Sequence, residues 1–139
     1  MKQKHTSIQI ETRRSGLTEV TRRIAAWVKE QGIEQGLLSI FIKHTSASLV
    51  IQENADPDVL TELENFFRQL VREDNSLYRH TAEGPDDMPA HIKSALTQTH
   101  LSIPIQDGRL GLGTWQGIYL FEHRSRPHSR TLLLHLLGE

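Results

Sequence analysis

The last third of the chain alternates between apolar and polar residues. "HLSIPIQ" (100–106) runs straight into Asp107-Gly108, and "RLGLG" (109–113) resumes the pattern. A period of two marks a half-buried strand, and Asp-Gly between two such runs demands a tight antiparallel hairpin. "TWQGIYLFEHR" (114–124) and "SRTLLLHLLG" (129–138) continue in the same way. A chain that ends like this needs an antiparallel sheet.

The earlier part adds both strands and helices. Residues 4–13 alternate around Ile8 and Ile10 and predict a strand. From Leu17 to Gln31, Leu17, Val20, Ile24, Trp27 and Val28 follow a helical stripe, with Gly32 where a C-cap belongs. "GLLSIFIKH" (36–44) and "SLVIQE" (48–53) read as strands joined by a short polar turn. Asp56-Pro57 reads as an N-cap followed by proline at N1. The helix it opens carries Val59, Leu60, Leu63, Phe66, Phe67 and Leu70 on its inner face and should end near Arg72. A polar segment, 73–87, precedes a short helix over roughly 88–98; a loop of that length in a compact domain is usually functional or mobile. The expectation is an α+β fold, one domain over 1–139, with an antiparallel sheet or sandwich and helices packed on one side.

Composition removes several function classes. The formal net charge of −1 carries no polyelectrolyte signature, so no nucleic-acid partner is expected. The opening residues lack an apolar signal core, and no run is long enough to span a membrane, so the expected location is cytoplasmic. Without cysteine, any metal must be held by His, Asp, Glu or carbonyl oxygens.

Eight histidines are the one compositional oddity. His44 ends a predicted strand, His80 lies in the long polar segment and His91 on the short helix, with Glu83, Asp86, Asp87 and Lys93 nearby in sequence. Imidazole and carboxylate donors suit a divalent ion such as Mg²⁺, Mn²⁺ or Zn²⁺. No compact ligand spacing such as HExxH is present, and a single histidine is more often a hydrogen-bonded turn residue. The hydroxyls of Thr45, Ser46 and Ser48, with the N–H groups of a tight turn, form a candidate phosphate cradle; taken alone, an ordinary turn whose hydroxyls satisfy the local backbone explains them better. Ser46 as a nucleophile served by His44 is disfavoured, because two strand residues of rise separate them by roughly 6–7 Å.

In 114–124, Gln116, Ile118, Leu120 and Glu122 share one strand face and Trp115, Gly117, Tyr119, Phe121 and His123 the other. Both faces are apolar in the middle, so the strand should be covered on both sides. Trp115 is expected in the core or at a subunit contact. Glu122 is either a charge escaping to solvent or a carboxylate turned into a site. Arg124, Arg126 and Arg130 form a local positive patch, suited to a solvated turn or an anionic substrate.

Taken in order, "HTSASL" (44–49), "NADPDV" (54–59), "YRH" (78–80), "EGPDDMPAHIKS" (83–94) and "DGRLGLGTWQGIYLFEHR" (107–124) resemble the YjbQ-like family, also called the secondary thiamine-phosphate synthase family. The resemblance spans nearly the whole chain and is weakest before residue 36. It implies a compact α+β subunit that assembles as a homotrimer, with motif histidines and acids near subunit boundaries. It also implies His44, His80 and His91 as metal ligands, with Glu83, Asp87 and Glu122 completing the catalytic shell. Thr45, Ser46, Asn54, Lys93, Gln116 and Arg124 are then the residues that hold substrate or phosphate. His123 matches only some members and ranks second.

The activity implied is thiamine-phosphate synthase, weak or secondary. It joins a pyrimidine methyl diphosphate to a thiazole phosphate and releases pyrophosphate. A divalent ion with Lys93 and Arg124 would neutralise the leaving diphosphate. Two alternatives stand beside it: metal-dependent hydrolysis of a phosphorylated small molecule, and a non-catalytic trimeric metal- or ligand-binding protein.

Overall fold

The computed structural model describes residues 1–139. The strands are β1 (Lys2–Thr12), β2 (Gly16–Glu19), β3 (Gln35–Ile42), β4 (Ala47–Glu53), β5 (His100–Gln106), β6 (Arg109–Leu110), β7 (Gln116–Glu122) and β8 (His128–Gly138). The helices are α1 (Thr21–Glu30), α2 (Pro57–Leu70) and α3 (Asp87–Leu96), with one 3₁₀ turn at Asn75–Leu77. The fold class is α+β. Five strands form an antiparallel sheet in the order β1-β8-β3-β5-β6, and three form a second in the order β2-β7-β4. No helix is long and apolar enough to cross a membrane.

Alternation builds the larger sheet as the sequence requires. Leu38, Ile40 and Ile42 of β3, Leu101, Ile103 and Ile105 of β5, and Leu132, Leu134 and Leu136 of β8 share the inner face. They join Leu49 of β4, Ile118 and Leu120 of β7, and Ile24 and Val28 of α1 in one core. Each such side chain contributes about 1.5–3 kcal/mol by leaving water. The predicted Asp107-Gly108 turn closes β5 onto β6, with positive φ of 51° and 72° as a type I′ turn needs. Gly36 and Gly138 face each other across β3 and β8; a Cβ on either would meet opposing backbone at about 2 Å.

Three expectations change. Leu17 lies in β2 rather than in the first helix, because residues 16–19 pair with the end of β7, and Val20 becomes the buried residue before α1. Backbone pairing on an open strand edge outweighs a helical stripe that could extend no further back. The second helix starts as predicted, with the Asp56 carboxylate accepting the Asp58 N–H at 2.9 Å. Its apolar stripe, however, is only half covered: Phe67 packs edge-on against Phe121 at 5.4 Å, while Phe66 and Leu70 stay 57% and 56% exposed. Trp115 is also exposed and is not part of the core. Strand β7 is buried on both faces after its first residue, as its sequence predicts.

Candidate functional site

The long segment before α3 returns its side chains to that helix. His80, Glu83, Asp87 and His91 each bring one donor atom to a common point, all within 4.8 Å of one another. Asp87 and His91 stand one helical turn apart on one face of α3, and the turn at Gly84 (φ 108°) carries Glu83 and His80 back over them. Asp87 is the hub. Its Oδ2 lies 2.6 Å from His80 Nε2 and 3.1 Å from His91 Nε2, while its Oδ1 accepts Arg124 Nη1 at 2.7 Å.

The surroundings orient each donor. His91 Nδ1 sits 3.0 Å from the Thr45 carbonyl, which can only accept, so Nδ1 carries a proton. In the neutral ring, the Nε2 lone pair then faces a carboxylate oxygen. A proton on that nitrogen, giving an ion pair with Asp87, or a bound cation satisfies the contact. Two imidazoles and two carboxylates are also donors of the type that a divalent metal ion takes, with the Thr45 carbonyl and Arg124 as outer partners. Arg124 also donates through Nε to Asp86 at 3.0 Å and through Nη2 to the Glu83 carbonyl at 2.9 Å. Burial opposes ionisation of Asp86, but the Ser125 N–H and the Arg124 guanidinium prevail and hold its carboxyl at about 2. Asp87 is buried too, yet its bond to His80 and the nearby positive groups keep it below the ordinary carboxylate range.

Several predicted site residues lie elsewhere. His44 is not part of the cluster: its Nε2 accepts the Thr131 N–H at 2.8 Å, so the neutral ring has no lone pair left for a metal. Burial, reinforced by Arg130, lowers its pKa. Glu122 neither escapes to solvent nor joins the cluster. It is fully buried, with Oε1 accepting Arg130 Nε at 2.8 Å and Thr12 Oγ1 at 2.6 Å. These partners outweigh burial and keep it ionised. Arg130 therefore belongs to the interior and not to a solvated patch.

Thr45 and Ser46 contribute main-chain carbonyls: Thr45 to His91, and Ser46 to Arg130 Nη2 at 3.2 Å. Asn54 and Gln116 sit at the far end of the β4–β7 pair, roughly 20 Å along the strands from Ala47 and Glu122. There Asn54 bonds Glu19 at 3.2 Å and Gln116 accepts the Gly113 N–H at 2.7 Å. Lys93 parts company with His91. Two residues apart on a helix means about 200° around its axis, so Lys93 leaves α3 on another side and lies buried beside His123.

Two interior groupings were not legible as sites. Ser48 Oγ lies 2.8 Å from His123 Nε2, both buried, and 2.6 Å from Thr97 Oγ1, which is half-buried. Burial first, and then the Lys93 charge, hold His123 down at about 3. The Thr12–Glu122–Arg130 trio joins three strands. Thr12 and Glu122 are 110 residues apart in sequence, so no local spacing announces the trio. The only available signal was the charge of Glu122 inside an otherwise apolar strand.

Comparison with known proteins agrees with this architecture. A UPF0047 protein of Synechocystis sp. is 58% identical over 130 residues, covering 94% of this chain and 88% of its own. YjbQ of Salmonella typhimurium is 49% identical over 107 residues, 77% of each chain. The crystal structure of a YjbQ/UPF0047 protein from Clostridium acetobutylicum superposes with a TM-score of 0.86 at 30% identity, covering 95% of this chain and 99% of that one. A hypothetical protein from Aeropyrum pernix gives 0.88 at 29% identity, covering 98% and 99%. The family described as UPF0047 protein YjbQ-like matches over residues 6–139, and the chain belongs to that family.

Proposed function

We propose that the chain is a divalent-metal-dependent enzyme acting on a phosphorylated small molecule. Thiamine-phosphate-synthase-type transfer, the reaction implied by the family resemblance, is the first to test. One observation carries the metal reading: the convergence of His80, Glu83, Asp87 and His91 around a shared point. Mg²⁺, Mn²⁺ or Zn²⁺ bound there would supply positive charge to a departing diphosphate. In the transfer, the bond between the pyrimidine methylene carbon and the diphosphate oxygen breaks. The thiazole nitrogen supplies the electron pair for the new carbon–nitrogen bond, and pyrophosphate leaves. No covalent protein intermediate and no general base are needed.

The chain's own groups would act by positioning. Arg124, with its guanidinium engaged by Asp86, Asp87 and the Glu83 carbonyl, orients the acids rather than holding a phosphate. His80 and Glu83 are the open side of the cluster, with side chains 48% and 64% exposed, where substrate can approach. The assay is pyrophosphate release together with thiamine phosphate formation by the purified protein and by His91→Ala. A rate in the variant equal to the parent's removes the cluster from the reaction.

A second reading, hydrolysis of a phosphate ester, is favoured by that same exposure and by the full engagement of the Arg124 fork, which leaves it no donor for a second phosphorylated substrate. A panel of phosphate esters, with and without chelator, separates the two. Stoichiometric metal binding with no turnover of either class would favour the non-catalytic reading. We also propose assembly as a homotrimer. The number comes from the family resemblance, and the outer face of the larger sheet supports self-association. There Leu37 and Leu137 are cross-strand partners, as are Phe41 and Leu133, and all four are exposed.

A further inference from the structure

Strand pairing sets His5 of β1 directly opposite His135 of β8, with ring centroids 6.1 Å apart and planes inclined by 35°. Both residues are exposed on the outer face of the larger sheet. Their row continues to Ser39 of β3 and runs between the Leu37–Leu137 row and the Phe41–Leu133 row. Cross-strand contact alone does not call for histidine here, because Leu and Phe fill the same kind of position in the two flanking rows. What imidazole adds is ring nitrogen.

Those nitrogens are available. Gln3 is the one hydrogen-bond partner that the two rings have within the chain, its Oε1 lying 3.0 Å from His135 Nε2. An amide oxygen only accepts, so this contact takes the Nε2 proton and, in the neutral ring, leaves Nδ1 as the lone-pair nitrogen. A metal-ligating histidine is commonly held in this way, by an acceptor on its second nitrogen. At His5 neither ring nitrogen is engaged, so either serves.

Geometry and charge narrow the ligand. A tetrahedral ion with metal–nitrogen bonds of about 2.0–2.1 Å sets two imidazole centroids roughly 5 Å apart. The observed spacing is greater by about 1 Å, which side-chain torsions close without moving the backbone. An open depression of about 490 Å³, lined also by Ser39, Phe41 and Leu133, lies over the pair and leaves room for further ligands. The residues beside the pair on this face, Gln3 and Ser7 on β1, Leu133 and Leu137 on β8 and Ser39 on β3, carry no charge. With no carboxylate at hand, the pair offers little to Mg²⁺ or Ca²⁺ and suits an imidazole-seeking ion such as Zn²⁺, Ni²⁺ or Cu²⁺.

We infer that His5 and His135 form a two-imidazole site for a late first-row transition ion, Zn²⁺ above all, with Gln3 orienting His135 and water completing the coordination. The sheet register holds both ligands in place beforehand, so binding orders little that is not already ordered. The ion ties the first strand to the last. The site shares no residue with the His80–Glu83–Asp87–His91 cluster, and it stands or falls independently of the catalytic reading above.

The test titrates the full chain with ZnCl₂ and, separately, with MgCl₂, and follows the eight histidine rings by long-range ¹H–¹⁵N spectra. The expected result is a saturable shift of His5 and His135 at micromolar Zn²⁺ and none with Mg²⁺, with the metal on Nδ1 of His135 and the proton on its Nε2. His80 and His91 report the other cluster separately, so either site can fail alone. His5→Gln and His135→Gln should each weaken the Zn²⁺ response of the remaining ring about tenfold or more, and Gln3→Ala by less. All three positions are exposed, so these variants leave the core intact. His5 and His135 signals unmoved by Zn²⁺ up to about 1 mM overturn the assignment. So does a response no tighter than that of the exposed His100, a single imidazole, or a His135 shift that persists unchanged in His5→Gln.

Discussion

Arg124 donates through Nη1 to Oδ1 of Asp87 at 2.7 Å, and that bond leaves the other oxygen of the carboxylate to face His80 and His91. A helix-borne acid is thereby held by a residue 37 positions away, just beyond the end of β7. The reach of the guanidinium to Asp86 as well makes it a clamp on both acids at the start of α3.

Arg124→Met should therefore destabilise the fold by about 3–5 kcal/mol, because it leaves two shielded carboxylates without their partner. Urea unfolding checks this. The same variant should lower the affinity for Mn²⁺ or Zn²⁺ about 10–100-fold by freeing Asp87 to turn. Arg124→Lys should fall between, since it keeps the charge but loses the planar fork. Unchanged metal affinity in Arg124→Met would contradict the orienting role.

Asp87→Asn keeps the shape of the hub and removes its charge. If the cluster holds a divalent ion, titration calorimetry should show stoichiometric binding in the parent and a loss of at least about tenfold in the variant. Arg124, its side chain 14% exposed, is then left partly unpaired, so the variant should also melt earlier than the parent.

Acid should act on the fold in two stages. Burial, with Lys93 nearby, lowers His123 from 6.5 to about 3, so its neutral form is favoured in the folded chain. Above pH 6.5 both states hold it neutral and no penalty exists; as pH falls from 6.5 towards 3, only the unfolded chain takes up the proton and stability drops. Asp86, lowered from 3.8 to about 2, adds a second loss of order 2 kcal/mol as pH falls through that range. His123→Gln should flatten the upper part of the profile and Asp86→Asn the lower part, both read from urea midpoints across pH. An upper slope that is the same in His123→Gln as in the parent would assign it to another group.

The exposed face of Leu37, Phe41, Leu133 and Leu137 should be covered in solution. Light scattering is expected to give three times the chain mass of 15.9 kDa. Phe41→Glu, at a position that does not touch the core, should reduce that mass while leaving far-ultraviolet circular dichroism intact. A parent protein that runs as a single chain at high concentration would end the trimer proposal.

What could be read locally followed the reach of local forces. The period-two runs, the Asp107-Gly108 turn and the Asp56-Pro57 helix start each depend on residues within a few positions of one another, and each formed as the sequence indicates. Of the three histidines favoured as ligands, His80 and His91 meet because a short return loop and one helical turn bring them together. His44 was indistinguishable from them by type, and only the placement of β8 gave its ring nitrogen to the Thr131 N–H.

Tertiary structure decided the rest. By itself the sequence determined most of the strands and helices, though not β2, and that histidines and acids gather before and along α3. It could not reveal that Lys93 and His91, neighbours on paper, leave α3 on different sides with different surroundings. Nor could it reveal that Glu122 turns inward to Arg130 and Thr12, or that Leu17 leaves a helical stripe to pair with Phe121. The physical reason is one of range. Propensity, capping and turn chemistry act over a few bonds of chain, whereas an ion pair, a shared metal point or a filled strand edge exists only once distant segments have packed, and its energy depends on what else packing has removed from water.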